Sequence, residues 1–436
     1  MRKNYFLLAL LMLFSSLHVF AQNVFVKQVI VASGGNFSDP DDYVTLGSYN
    51  PSDSTTTQFG TVFTQSVQDA VIYDHYLYVA AQDSIVAYDI DNYQRVAAIA
   101  AAGVHRLAAT QEKLIVSFWY PVTENFVRIY NREDLSELAL IPGVSGEAAG
   151  IAVYDGRAYV AVPGGYSSAT GKVAIIDLNT NSLLLEYDLG ELGARINDLY
   201  IYEEIYKGNN ISYLISVNSS EWNGTTGVIL KYNMTENSLT SSVLNVNLGK
   251  GVGINYENGG TLYAVINGGI GAVSLQNLTV TDTSVVQVSE YSIAGAAYDR
   301  INERFYVATT DYYSMGQGTI YDDEGDVVGS FDAGISPEAL AIDYRDNTAI
   351  SQVDEDVTYS VYPNPAKNVI FVSGKEGKSI DKIKIFDLTG KVVKEKSFAG
   401  KGLSQVLLNV SDLNGGLYLL TVEAGNNVYT TKIVIK

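Results

Sequence analysis

The sequence predicts an all-β protein: a seven-bladed β-propeller followed by a small, Ig-like β-sandwich. Three observations carry that expectation. A unit of short apolar strands recurs along residues 22–344. Each copy continues into further strands joined by turn-forming residues, which gives the four strands of a propeller blade. The two ends of the region complement each other, so that the ring can close.

Taken in order, the first element is an export signal. Arg2 and Lys3 precede an apolar run at residues 5–14, and Val19-Phe20-Ala21 supplies small-residue cleavage chemistry before Gln22. This is the three-part form of a secretory signal, expected to span residues 1–21. A membrane-spanning helix needs about 20 apolar residues, and Ser15, Ser16 and His18 interrupt this run. No later stretch approaches that length, so no transmembrane segment is expected in the mature chain.

The repeat is clearest in three places. Ala70-Val-Ile-Tyr-Asp74 is followed by Leu77-Tyr-Val-Ala80, Gly150-Ile-Ala-Val-Tyr-Asp155 by Ala158-Tyr-Val-Ala161, and Ala296-Ala-Tyr-Asp299 by Phe305-Tyr-Val-Ala308. Turns such as Asn179-Thr180-Asn181 then link two more short strands, as hairpin chemistry requires. No stretch keeps a 3.6-residue apolar period, which argues against helical repeats. Inner strands are expected to begin near residues 69, 106, 149, 197, 251, 294 and 337. The last of these has only its first strand, whereas residues 24–32, 43–49 and 58–63 offer three strands with no inner one. Joining them completes a seventh blade and pairs edges that would otherwise stay open.

A polar, acidic stretch at 345–357 is expected to be a linker. Residues 358–436 then show about seven short strands with Gly and Asn turns, a small sandwich pattern. Along it come Tyr362-Pro-Asn-Pro365, Lys384-Ile-Phe-Asp-Leu-Thr-Gly-Lys391, Leu413-Asn-Gly-Gly-Leu-Tyr418 and Thr431-Lys-Ile-Val-Ile-Lys436. With these motifs the domain resembles the C-terminal sorting domain of type IX (Por) secretion in Bacteroidota. The resemblance implies handling by the type IX machinery, passage across the outer membrane, and surface attachment or release.

Composition narrows the function classes. Residues 22–357 carry a net charge of −27, and residues 359–436 one of +5. A field of that sign repels nucleic acid and anionic membranes. The chain has no cysteine, which excludes disulfides, Cys-based zinc sites, a thiol nucleophile and an N-terminal lipid anchor. Only His75 and His105 remain after cleavage, too few for a His-rich metal site. No Gly-x-Ser-x-Gly elbow, phosphate-binding loop or zinc-ligand spacing is present. Asp322-Asp-Glu-Gly-Asp326 lacks the ligand alternation of an EF-hand and reads as a Gly-containing hairpin turn.

Candidate ligand-binding residues fall into two groups on one propeller face. The loops joining second and third strands are enlarged in five blades and carry Trp119, Tyr120, Tyr166, Trp222, Tyr312, Tyr313 and Phe37; both tryptophans of the chain are among them. Several exposed aromatics on one rim suit a flat or bulky organic ligand. The leading residues of the inner strands, Gln68, Asp69, His105, Arg106, Glu147, Arg195, Asn197 and Lys250, are expected to ring the channel mouth on that face. Their cations could orient an anionic or amide-bearing group, or could pair with neighbouring carboxylates to seal the channel.

The repeat as a whole resembles the YncE/YVTN-type propellers, and within them the DUF5074 group. The residues that carry this are Gly34-Gly-Asn-Phe37, Val67-Gln-Asp69, Asp311-Tyr-Tyr313, Gly318-Thr-Ile-Tyr-Asp322, Gly325 and Gly334-Ile-Ser-Pro337. That group includes surface lipoproteins that capture cobalamin for a TonB-dependent transporter. This chain lacks their lipidated cysteine. The resemblance implies a surface-displayed, non-enzymatic binding propeller with a corrinoid-like ligand and no catalytic cofactor. A polysaccharide-active enzyme using channel carboxylates such as Asp69 or Glu147, or an adhesin or scaffold for which the propeller is a rigid display surface, are the alternatives, and a surface glycan is the alternative partner to a small organic ligand.

Overall fold

The computed structural model describes residues 24–164, 170–206, 209–288, 291–346, 359–374, 379–388, 390–398, 401, 403–425 and 427–436. The expected export signal, the loop containing Tyr166 and residues 347–357 of the expected linker lie outside them. The chain divides into two units, one of which is Val24–Asp346.

That unit consists of seven four-stranded antiparallel sheets among the described residues. We number them as blades. Blades 1 to 6 are consecutive in sequence and begin with inner strands Val67–Tyr73, Val104–Ala109, Ile151–Tyr154, Ile196–Tyr206, Leu248–Asn255 and Ser292–Asp299. Blade 7 joins the two ends of the unit. Its inner strand, Ala339–Asp346, pairs with Val24–Ser33, which is followed by Val44–Asn50 and Thr55–Val62. Each inner strand touches the next around the ring, and the strand of blade 7 touches those of blades 6 and 1, so the ring is closed. The inner strand of blade 7 reaches two residues past the expected domain end. Arg345 pairs in register with Phe25 and Asp346 with Val24, so residues 345 and 346 are strand rather than linker.

Alternation explains the packing. Successive side chains point to opposite faces of a strand, and apolar residues at both parities fill the layers between neighbouring blades. Ile30, Val44, Leu46, Leu77, Val79 and Val86 form one such layer between blades 7 and 1. Tyr78, Ile85, Leu107, Leu114 and Phe118 form the next, between blades 1 and 2. The expected hairpin at Asp322 to Asp326 is present. Gly325 takes a φ of +87°, and the Asp326 N–H donates to the Asp322 carboxylate at 2.8 Å.

The C-terminal residues fold as a sandwich of a three-stranded sheet (Tyr359–Tyr362, Val369–Gly374, Gln405–Asn409) and a four-stranded one (Lys382–Phe386, Val392–Ser397, Gly416–Ala424, Asn427–Ile435). Ile370, Val372, Ile383, Ile385, Leu420, Val422 and Ile433 form its core. The Tyr362-Pro-Asn-Pro365 motif has a structural task here. The Asn364 amide donates to the Lys432 carbonyl at 2.9 Å and its oxygen accepts the Val434 N–H at 2.8 Å, so this turn holds the final strand. Among the described residues, no helix is long and apolar enough to cross a membrane.

Candidate functional site: rim, channel and an inter-blade cleft

The loops that join second to third strands share a face with the loops that join successive blades, because chain direction alternates along each blade. Trp119, Tyr120, Trp222, Tyr312, Tyr313 and Phe37 all lie on such loops and are exposed. They are not alike. Trp119 stacks on His105 with centroids 4.1 Å apart, so one of its faces is already covered. The Tyr120 N–H donates to Glu147 at 3.1 Å. Trp222 is 93% exposed, and no ring among the described residues stacks on it. Arg195 holds the loop that carries Trp222, donating to the Ser219 carbonyl at 3.2 Å and pairing with Glu221 at 3.1 Å. Trp119 stands on blade 2 and Trp222 on blade 4.

Of the expected channel residues, Gln68, Asp69, Arg106 and Lys250 line a central cavity of about 270 Å³ together with Asp198, Tyr200 and Glu338. Every blade contributes to this lining. The others go elsewhere. His105 lies beneath Trp119 with its ring nitrogen 3.3 Å from the Ala148 carbonyl, and Asn197 donates to its neighbour Asp198 at 3.4 Å. Local irregularity accounts for the difference: the inner strands of blades 1, 2, 4, 5 and 6 all shift register near their starts. A bulge re-aims the side chains beside it, so Asp198 rather than Asn197 lines the cavity.

Three cavity carboxylates act as latches between adjacent blades. Asp69 accepts the Leu107 N–H at 2.9 Å, Asp198 the Gly251 N–H at 2.8 Å and Glu338 the Val67 N–H at 2.9 Å. Burial pushes the Asp69 and Glu338 carboxyls up and brings the Lys250 ammonium down to about 8. Burial, with the Arg106 charge beside it, also lowers His105 to about 3, so the ring is neutral at ordinary pH.

A second opening is one that the sequence did not reveal. A cleft of about 730 Å³ separates the outer parts of blades 6 and 7. Blade 7 contributes Val31, Ser33, Thr45, Gly47, Thr56 and Gln58, and blade 6 contributes Met315, Gln317, Thr319, Ser330, Phe331 and Asp332. No lysine, arginine or histidine is among its lining residues. Its floor is a packed cluster in which Tyr49 lies 5.9 Å from Phe331 and 6.1 Å from Tyr306. The mouth is shaped by the Gly34-Gly35 turn, whose N–H groups donate to Ser336 and Ile335 of blade 6 at 2.7 and 3.0 Å. Gly35 has a φ of +78°, and a Cβ there would fall 2.4 Å from the Asp42 carbonyl, so only glycine fits. Tyr43 at the mouth packs edge-on against the exposed Phe63 at 5.3 Å. The loop carrying Tyr312 and Tyr313 runs directly into Met315 of the lining. The side chains of Gln58, Gln317 and Asp332 have no hydrogen-bond partner among the described residues and are exposed at the cleft.

A closed ring of four-stranded sheets, followed in sequence by a basic β-sandwich, defines a β-propeller protein with a C-terminal module. Residues 360–436 match the family described as the secretion system C-terminal sorting domain. The protein is therefore a type IX export substrate, directed to the cell surface or the extracellular space. No curated protein matches the chain. Solved structures similar to it include the β-propeller domain of Myceliophteria thermophila Cps50 (Swd1), with 8% identity, a TM-score of 0.48 and coverage of 66% of this chain and 96% of that one. Another is the extracellular domain of a one-component system from B. thetaiotaomicron, with 12% identity, a TM-score of 0.44 and coverage of 93% of this chain and 57% of that one.

Proposed function

We propose that this is a surface-displayed, non-enzymatic binding propeller whose ligand seats in the cleft between blades 6 and 7, and that the ligand is a corrinoid of the cobalamin type. The observation that carries this reading is the cleft itself. Its volume of about 730 Å³ falls within the range of roughly 300–1,000 Å³ usual for small-molecule sites. Tyr43 and Met315 line the cleft beside Asp42, and its walls offer the Gln58 and Gln317 amides and the Thr45 and Thr319 hydroxyls, whose side chains have no hydrogen-bond partner among the described residues. A corrinoid is a flat macrocycle fringed with amides. Gln58, Gln317, Thr45 and Thr319 supply complementary donors and acceptors, and Tyr43 and Met315 supply flat or soft contact area. The resemblance to the DUF5074 group adds support, because Gly34 to Phe37, Asp311 to Tyr313, Gly318 to Asp322 and Gly334 to Pro337 all border this cleft or its entry loops. Display by the sorting domain would replace the lipid anchor of those lipoproteins, and a TonB-dependent transporter is the partner to which captured ligand would pass.

Titrating the secreted chain with cyanocobalamin tests the reading. Saturable binding is expected, and Gln317→Ala should weaken it by about tenfold through one lost hydrogen bond. Trp119→Ala and Trp222→Ala report on the rim separately. Loss of binding in both with no effect of Gln317→Ala moves the site to the rim and overturns the cleft. An absence of cobalamin binding with saturable binding of oligosaccharide overturns the corrinoid assignment.

A further inference from the structure

We infer that the channel cavity is a second binding site, separate from the cleft, for a small zwitterion of the free amino-acid type. The fold gathers five charges around this channel and keeps them apart. Arg106, Lys250, Asp69, Asp198 and Glu338 all face one cavity of about 270 Å³, yet no ion pair joins any two of them among the described residues. Each is instead anchored on neutral backbone. The Arg106 guanidinium donates to the Gln68 carbonyl and the Lys250 ammonium to the Ala294 carbonyl. The carboxylates accept backbone N–H groups of the next blade.

All five side chains are half-buried, and drawing charges out of water without pairing them is costly unless something else completes them. The donors and acceptors left over define what would do so. Asp69 uses both oxygens on the N–H groups of Ala70 and Leu107. Asp198 and Glu338 each keep one oxygen with no partner among the described residues, while Arg106 keeps guanidinium N–H groups to spare. The half-buried Tyr200 also lines the cavity, and its hydroxyl has no hydrogen-bond partner among the described residues. Its pKa lies well above the usual range because burial disfavours the phenolate, so it stays a donor. A ligand that presents a carboxylate to Arg106, Lys250 and Tyr200, and an ammonium to Asp198 and Glu338, satisfies all of these at once. A simple anion would leave the acidic side unmatched, and a simple cation the basic side. Size agrees, since the cavity admits a few heavy atoms but not a macrocycle. Access agrees as well. Asp69, Arg106, Asp198 and Lys250 are each the third residue of their inner strand and Glu338 immediately precedes its own, so all five lie toward the face where the blade-joining loops run.

Calorimetry on the secreted chain with L-alanine, N-acetyl-L-alanine and L-alaninamide tests this. L-Alanine is expected to bind with a Kd of about 1 mM or tighter, and each capped analogue about tenfold or more weakly, because capping removes one charge and strands its partner. Asp198→Asn should erase the preference for alanine over the acetylated form, and Lys250→Met the preference over the amide. These ratios are read within one variant, so a general loss of fold cannot imitate them. Gln317→Ala should leave alanine binding unchanged, which keeps this site distinguishable from the cleft. No binding of L-alanine, or equal binding of all three compounds, overturns the inference.

Discussion

The face that blade 7 turns toward blade 1 carries Ile30, Ala32, Val44 and Leu46, whereas the face it turns toward blade 6 carries Val31, Ser33, Thr45 and Gly47. The same strands supply both sets, one residue out of step. On the first side the apolar side chains meet Leu77, Val79, Val86 and Tyr88, and the seam is filled. On the second, small and polar residues face Gln317, Gly318, Thr319 and Gly334, and a cleft is left. One seam is built for cohesion and the other gives up cohesion for an opening. The filled seam is also sealed by polar groups. Buried Gln28 donates to Asp343 at 2.9 Å and to the Ile90 carbonyl at 3.1 Å, and it accepts from Ser48 at 2.5 Å and Tyr93 at 3.0 Å. Arg345 then pairs with Asp343 at 2.5 Å and with Asp91 of blade 1 at 3.0 Å.

If the filled seam holds the ring shut, breaking it should cost the most. Asp343→Ala removes a fully buried carboxylate from Gln28 and Arg345. It is expected to destabilise the propeller by about 3–5 kcal/mol, as losing one member of a buried pair does. Leu46→Ala, at a side chain with no exposed surface, should cost about 3 kcal/mol. Denaturant melts of the purified chain check both. If either variant unfolds with unchanged midpoint, closure does not depend on this seam.

A third seam sharpens the contrast through pH. His105 packs between Trp119 and the Ala148 carbonyl, and burial beside Arg106 lowers it to about 3. Because this folded pKa lies below the unfolded value of about 6.5, the unfolded chain binds the extra proton between the two. Stability therefore falls as pH drops through that window and is unaffected above it. Near pH 4.5 the loss from this group should be about 2.5 kcal/mol. His105→Phe keeps a ring against Trp119 and cannot titrate, so its melts at about pH 4.5 and pH 7 should lie closer together than those of the parent. An unchanged gap would mean that His105 is accessible to protons in the folded state.

How much of this was legible follows from what a linear pattern encodes. Strand repeats, hairpin turns and the complementary ends gave the ring, because burial and turn chemistry are local. The motifs at Tyr362 and Gly415 gave the C-terminal domain for the same reason, Asn364 being held by the last strand it specifies. The channel was half legible. Asp69, Arg106 and Lys250 stood out as polar residues leading apolar strands, but the bulge that exchanges Asn197 for Asp198 depends on pairing with the next strand. Glu338 follows Pro337 and leads its strand as the others do, so the signal that found Asp69 could have found it. The cleft was not legible at all. It arises where alternate residues of two blades distant in sequence are small together, and neither Gly47 nor Gly318 signals an opening by itself. Exposed tryptophans drew notice because they are rare, although rarity does not fix what lies opposite them.

The smallest stability effect should be the most telling for function. A Cβ built on Gly47 meets only the Thr56 methyl at 3.6 Å and the Val31 carbonyl at 3.9 Å, which are ordinary contacts. Glycine in a strand interior costs roughly 0.5–1 kcal/mol relative to alanine through its extra freedom when unfolded. Gly47→Leu should therefore leave stability unchanged or raise it by about 0.5 kcal/mol, while placing a branched side chain in the cleft. Cyanocobalamin binding should then fall by at least about tenfold, with L-alanine binding unaffected. A variant that gains stability and still binds cobalamin as the parent does would show that the seam is open for some other reason than to hold this ligand. If Gly47→Leu instead destabilises the fold, the two faces of blade 7 are equally close-packed and the contrast between them fails.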